Sequence, residues 1–141
     1  MRSILICAAA LFVITLPSFV MADSSQFDGT WNVTLTCPSY TESSGARGYT
    51  FEFVAQVKEG MFAGQFGVEG RPSSVKITGQ IQPNGSATLH AVGLTGDPDY
   101  AVKHPPKSTR YEYDIKAQFN GSRGVGSRLQ ARKCDLVFIK Q

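Results

Sequence analysis

The chain has 141 residues, of which 42% are hydrophobic and 18% charged, and its formal net charge at pH 7 is +3. This length fits a single domain. A charge so close to balance does not select a nucleic acid or a membrane surface as a partner, and we expect neither.

The first residues resemble a secretion signal. Arg2 supplies a positive charge, residues 4–20 are almost wholly apolar, and Val20-Met21-Ala22 fits a signal-peptidase site. We therefore predict a signal peptide over 1–22 and a mature domain over 23–141. A transmembrane anchor is the alternative, but Pro17 and the small-residue end argue against it. No later stretch has the roughly 20 apolar residues that span a bilayer, so we expect a periplasmic or secreted protein without a membrane anchor.

The mature sequence alternates apolar and polar residues, which is typical of half-buried antiparallel strands. Asn84-Gly85 and Asn120-Gly121 predict type I′ hairpin turns, and Glu59-Gly60 predicts a third turn. No convincing helical stripe or internal repeat interrupts the pattern. The predicted strands are 31–35, 49–57, 62–68, 75–81, 87–91, 111–119, a weaker one at 129–131, and 136–139.

About eight short strands joined by tight turns predict an all-β domain, either a single antiparallel up-and-down barrel or a two-sheet sandwich. The barrel is favoured because an open meander leaves two bare edges. Cys37 and Cys134 are the only cysteines after the leader, and two cysteines in an exported domain usually pair. In an even-stranded closed meander they lie side by side, so we predict a disulfide between the first and last strands. Two free thiols or an intermolecular bridge are the alternatives.

Gly29-Thr30-Trp31 opens the first strand and resembles the G-x-W motif of the calycin group, the lipocalins and avidin-like proteins. The resemblance implies structural roles for Gly29 and Trp31, with Trp31 packed across one barrel end under a basic residue, Arg132 or Lys140. Biotin binding is not implied, since Trp31 is the only tryptophan.

Two further resemblances concern compartment and partners. The whole chain looks like small exported proteins of rhizobium-like bacteria, which implies a compartment but no activity. Periplasmic metalloprotease inhibitors are also small disulfide-bonded barrels, and they insert an N-terminal segment into the protease. Residues 23–26 are either such a segment or a plain remnant of the signal peptide.

The loops differ between the two ends of the predicted barrel. Three short turns share one end, whereas 37–47, the Arg71-Pro72 turn and 94–110 share the other. Barrels of about eight strands can hold a small ligand at the mouth, so we place the candidate site at this second end. The interior is either a packed core or an apolar cavity, and the long loop is either a lid or a proline-stiffened connector. The candidate ligand-binding residues are Phe51, Phe53, Phe66 and Tyr113 on the wall and Tyr100, Lys103 and His104 on the long loop.

No residue pattern indicates catalysis or a metal. His90 and His104 are the only histidines, with no cluster of acidic residues or cysteines around them, and no G-x-S-x-G motif is present. We therefore expect no cofactor, no metal and no enzyme activity. The basic residues Arg123, Arg128, Arg132 and Lys133 form either a solvated face or a site for an anionic partner. The predicted function is binding of a small apolar or amphipathic ligand; the alternative is protease inhibition or another protein-binding role.

Overall fold

The computed structural model describes residues 23–42 and 45–141. They form a closed antiparallel barrel of eight strands in sequential order. Two 3₁₀ helices, Ser24–Phe27 and Pro98–Tyr100, accompany it, and neither is long and apolar enough to cross a membrane. The predicted signal peptide lies outside the described residues. The strands are β1 (Gly29–Cys37), β2 (Tyr49–Lys58), β3 (Met61–Phe66), β4 (Ser74–Ile81), β5 (Ser86–Leu94), β6 (Arg110–Asn120), β7 (Arg123–Arg128) and β8 (Cys134–Lys140).

The barrel closes through β1, which pairs with β2 on one side and with β8 on the other. In the β1–β8 register, Thr36 lies opposite Asp135, which places the next residues, Cys37 and Cys134, beside each other. Their sulfur atoms are bonded, and their Cα atoms are 4.4 Å apart. The predicted barrel and the predicted disulfide are both confirmed, and the sandwich alternative is excluded.

Two strand predictions are wrong, one at its C-terminal boundary and the other in its position. The predicted third strand continued to Val68, but β3 ends at Phe66, because Gly67 turns the chain with φ of 66°. Val68 is 69% exposed. The seventh strand is Arg123–Arg128 rather than 129–131, and Leu129 is 72% exposed.

The hairpin turns differ in type from the prediction. A type I′ turn needs positive φ at both central residues, and Glu59-Gly60 has this, with φ of 52° and 75°. Neither Asn84 nor Asn120 has positive φ, so the predicted type I′ assignments are wrong there. Between β6 and β7 the two loop residues are Gly121 and Ser122, and positive φ at Gly121 alone is the pattern of a type II′ turn.

The three short turns share one end of the barrel, which we call the closed end. The 3₁₀ helix Ser24–Phe27 covers it: Phe27 is 3% exposed, and its carbonyl accepts a hydrogen bond from Trp31 Nε1 at 2.8 Å. Asp28 accepts hydrogen bonds from the backbone N–H groups of Glu59 and Gly60 at 2.8 and 2.9 Å. This end of the barrel is therefore sealed by backbone and side-chain contacts.

Behind this seal, aromatic rings fill the barrel interior. Phe119 is central, with its ring centroid 5.3 Å from that of Trp31 and 4.9 Å from that of Phe138. Phe62 packs edge-on against Phe138 at 5.5 Å. All four rings are at most 1% exposed. The closed-end half of the interior is thus a packed core, as one of the two sequence-based alternatives had it.

Inward-facing glycines make room for these rings. A Cβ atom at Gly124 would lie 2.7 Å from Cδ1 of Phe119, the residue opposite it on β6. A Cβ at Gly64 would lie 2.9 Å from the Phe53 ring. Since real Cβ atoms do not approach other atoms so closely, the glycines are matched to the aromatic residues beside them.

Candidate functional site

The other end of the barrel, which we call the loop-rich end, carries the loops 38–48, 67–73, 95–109 and 129–133. A cavity of about 380 Å³ opens there to solvent. Its walls come from β2, β5, β6 and β7, and its rim comes from three of the loops. The lining residues are Tyr49, Phe51, Ser73, Leu94, Thr95, Gly96, Asp97, Tyr100, Ala101, Val102, Pro105, Tyr111, Arg128, Ala131 and Arg132.

Arg132 links three of these loops. Its Nη1 donates to the carbonyl oxygens of Pro38 and Arg47, both at 3.0 Å, and its Nη2 donates to that of Tyr100 at 2.6 Å. The guanidinium also lies 4.9 Å from the centroid of the Tyr49 ring. Arg132 is only 5% exposed. Its loop, 129–133, is therefore fixed to 38–48 and to 95–109 by one side chain.

The position of Arg132 overturns one expectation from the calycin resemblance. Trp31 was expected under Arg132 or Lys140, but Arg132 lies over Tyr49 at the opposite end of the barrel. Lys140 Nζ instead donates to the carbonyl of Gln26 at 3.2 Å. Among the described residues, the cations recorded over aromatic rings are Arg47, Arg128 and Arg132, and none of them lies over Trp31.

Arg128 ends β7 at the cavity wall. Its guanidinium lies 4.1 Å from the centroid of the Tyr113 ring, and its Nε donates to Gln130 O at 2.9 Å. The Tyr113 and Tyr111 rings are parallel, with centroids 6.0 Å apart. A cation above an aromatic face is attracted by the ring quadrupole, so the Tyr113 ring helps to hold Arg128 at the cavity.

These two tyrosines are neutral at ordinary pH. Burial raises the pKa of Tyr113 to about 12, and burial also raises the pKa of Tyr111. Neither phenol therefore supplies a negative charge to Arg128.

The long loop 95–109 is held at both of its ends. The N–H of Thr95 donates to Thr109 O at 2.9 Å, and the N–H of Ser108 donates to Thr95 O at 2.8 Å. In between, Asp99 O accepts from the N–H of Arg47 at 2.8 Å, which joins this loop to 38–48. The loop is therefore an ordered part of the cavity rim.

The structure distributes the seven candidate ligand-binding residues over four positions. Phe51 and Tyr100 line the cavity. Phe66 lies behind Phe51, stacked on it at 3.8 Å, and Phe53 packs against Phe66 at 6.3 Å. Tyr113 lies beneath Arg128. Lys103 and His104 are exposed on the long loop and do not line the cavity.

Sequence reasoning did not name Tyr49, Tyr111, Arg128 or Arg132 as site residues, although all four line the cavity. The alternation of β2 and β6 does place Tyr49 and Tyr111 on the inward face, so that signal was present. The two arginines belong to the basic C-terminal group, for which the sequence left a solvated face and an anionic partner open. Their place at the cavity depends on contacts with distant loops.

Other chemistry is sparse in the part of the chain that the structure describes. Within 23–42 and 45–141, no group of three or more His, Cys, Asp or Glu side chains is arranged to hold a metal ion. His90 lies on the outer surface, with Nδ1 2.9 Å from Asp114 Oδ1. Comparisons with protein-family models, curated proteins and solved structures find no match. The geometry of the cavity thus carries the functional argument.

Proposed function

We propose that this chain is an exported, calycin-like barrel that binds a small amphipathic molecule at its loop-rich end. The observation that carries the proposal is the cavity of about 380 Å³, which is lined by aromatic residues and by residues of the loops at this end. Pockets for small ligands are typically about 300–1,000 Å³. The cavity lies at the lower end of that range, which favours a compact ligand.

The lining supports an amphipathic ligand rather than a purely apolar one. Leu94, Val102 and Pro105 offer apolar surface, while Asp97 and Arg132 place charged groups at the same cavity. Such a mixture, mostly apolar with a few polar groups that fix orientation, is typical of small-molecule sites.

The ordered rim also supports a binding role. Three loops are connected through the hydrogen bonds of Arg132. Binding to ordered loops avoids much of the entropy loss that accompanies immobilising a flexible site.

Export is supported by the disulfide between Cys37 and Cys134. Such bonds persist in oxidising compartments and are rare in the cytosol. A periplasmic or extracellular location is the one that we propose.

The alternative of protease inhibition through residues 23–26 receives no support from the geometry. Gln26 Nε2 donates to Pro83 O at 2.9 Å, and Gln26 O accepts from Lys140. Residues 24–27 thus form a short 3₁₀ helix that is held at the closed end by these hydrogen bonds and by the buried Phe27 side chain.

Two measurements test the proposal. Native mass spectrometry of the protein purified from its own host should show a retained small molecule. Titration with the neutral fluorophore N-phenyl-1-naphthylamine should give saturable fluorescence enhancement. Val102→Trp, which fills the cavity, should abolish that signal, whereas Val125→Trp on the outer face of β7 should preserve it. Absence of both a retained molecule and saturable binding contradicts the proposal.

A further inference from the structure

The charges at the cavity are unbalanced in a way that suggests the chemistry of the ligand. Arg128 and Arg132 both line it. Across 23–42 and 45–141, the ion pairs are formed by other residues, and no carboxylate lies within ion-pair distance of either arginine. Arg132 is nevertheless 5% exposed, and a buried charge is normally paired.

Neutral groups satisfy part of the hydrogen-bonding capacity of Arg132 without neutralising its charge. Three backbone carbonyls accept its hydrogen bonds, out of the five N–H donors that a guanidinium carries. Carbonyl dipoles orient the side chain and leave its net charge in place. The cavity therefore has a fixed cation with donor capacity remaining.

Arg128 adds a second cation to the same wall. One of its N–H groups donates to Gln130 O, and its guanidinium face rests on the Tyr113 ring. Burial keeps Tyr113 protonated, so the ring supplies a quadrupole but no anion. Asp97 is the acidic residue of the lining, and its carboxylate accepts a hydrogen bond from Asp99 N at 3.0 Å.

We infer that the ligand is an organic monoanion, with a carboxylate directed to Arg128 and Arg132 and an apolar or aromatic body against Phe51, Tyr49 and Tyr111. This inference rests on the proposed function, because it specifies the ligand of the same cavity. A planar carboxylate matches the fork of a guanidinium, and the aromatic walls match a flat apolar body. Inorganic phosphate matches the charges but leaves the aromatic wall unused.

A matched pair of probes separates charge from shape. Naphthalene-2-carboxylate and naphthalene-2-carboxamide have nearly the same outline and differ in charge. Calorimetric titration of the unaltered protein should show at least about tenfold tighter binding of the carboxylate, since hydrogen bonds to charged groups are stronger than neutral ones. Inorganic phosphate, titrated separately, should bind more weakly than the carboxylate.

Variants on one strand provide the control. Arg128→Gln should reduce the preference for the carboxylate to below about threefold, because charge-assisted hydrogen bonds are lost. Arg123→Gln makes the same charge change at the closed end of β7, on an exposed residue, and should leave the preference intact. Thermal melts of both variants establish that they fold. If Arg128→Gln does not fold, the probe pair and the phosphate titration on the unaltered protein decide.

The outcomes separate this inference from the proposed function. Equal affinity for the two naphthalene probes overturns the anion inference and leaves small-molecule binding standing. Phosphate binding as tight as that of the carboxylate overturns the assignment of an apolar body. Failure of both naphthalene probes to bind overturns the inference, and if N-phenyl-1-naphthylamine also fails to bind and no retained molecule is found, the proposed function is overturned with it.

Discussion

The two ends of the barrel use aromatic residues in opposite ways. At the closed end, Trp31, Phe62 and Phe119 are at most 1% exposed and fill the interior. At the loop-rich end, Tyr49, Phe51 and Tyr111 are only partly buried and border an opening. The difference indicates that the two ends have different roles: the closed end stabilises the fold, and the loop-rich end forms the cavity.

The largest expected effect is a loss of stability at the closed end. Phe119→Ala removes the ring around which the core packs and should lower the free energy of unfolding by about 3–5 kcal/mol. Phe51→Ala is the same chemical change at the loop-rich end. It should cost less stability, because Phe51 is only half-buried, but it should weaken ligand binding. Urea denaturation and fluorophore titration of both variants check this. Equal losses of stability would contradict the different roles of the two ends.

The disulfide is expected to affect both the stability of the fold and the binding of a ligand. Replacing both Cys37 and Cys134 by alanine should lower the free energy of unfolding by about 2–4 kcal/mol, because the unfolded chain regains the freedom of a long loop. Ligand affinity should fall as well, since Pro38 follows one cysteine and Arg132 lies two residues before the other. Reduction of the unaltered protein should reproduce both changes, while the double variant should be insensitive to reductant. Unchanged stability after reduction would contradict a stabilising role for the disulfide.

Alkaline pH tests the buried phenol beneath the cavity. The pKa of Tyr113 is raised from 10.0 to about 12, so above pH 10 the unfolded chain loses a proton that the folded protein retains. The contribution of Tyr113 to the free energy of unfolding is therefore fully present below pH 10. We expect it to be lost as the pH rises toward 12, which lowers the free energy of unfolding by up to about 2–3 kcal/mol.

Tyr113→Phe supplies the control for that titration. Denaturation curves measured across the same pH range should be flatter for this variant than for the unaltered protein, because the titrating phenol is gone. Identical pH profiles would show that other groups cause the alkaline loss.

The smallest expected effect concerns Arg132. Arg132→Lys keeps the charge but lacks the guanidinium fork that donates to three carbonyls. We therefore expect the free energy of unfolding to fall by about 1–2 kcal/mol. Hydrogen exchange should accelerate in 95–109 and not at the closed end. Arg123→Lys, at an exposed residue on the closed end of β7, should change neither the free energy of unfolding nor the rate of hydrogen exchange in 95–109. Uniform acceleration over the whole barrel would contradict a local role for Arg132.

Much of the fold follows from alternation in the sequence. β2 and β6 carry apolar residues at every second position, and their inward faces were predicted correctly. β7 was misplaced because its inward residues, Gly124 and Gly126, have no side chains to signal burial. The space above Gly124 is filled by Phe119 from β6, a pairing that a single strand does not reveal.

The candidate site was predictable in position but not in composition. The lengths of the loops indicated the end of the barrel at which the cavity opens, and strand phase placed Phe51 on the inward face that borders it. Arg132 could not be assigned to the cavity because its hydrogen-bond partners are 94, 85 and 32 residues away in the sequence. Such contacts appear only after the barrel has closed.

Barrel closure also has a consequence for the order of folding. Every strand pairs with its neighbours in sequence, and among the described strands only the β1–β8 pairing joins distant parts of the chain. Forming a local hairpin costs little loop-closure entropy, whereas pairing the first and last strands requires the closure of a long loop, which costs more. We therefore expect the meander of hairpins to form first and the first-to-last pairing to form late. Until that pairing forms, β1 and β8 are exposed edges, and the folding chain is most prone to aggregation at that stage.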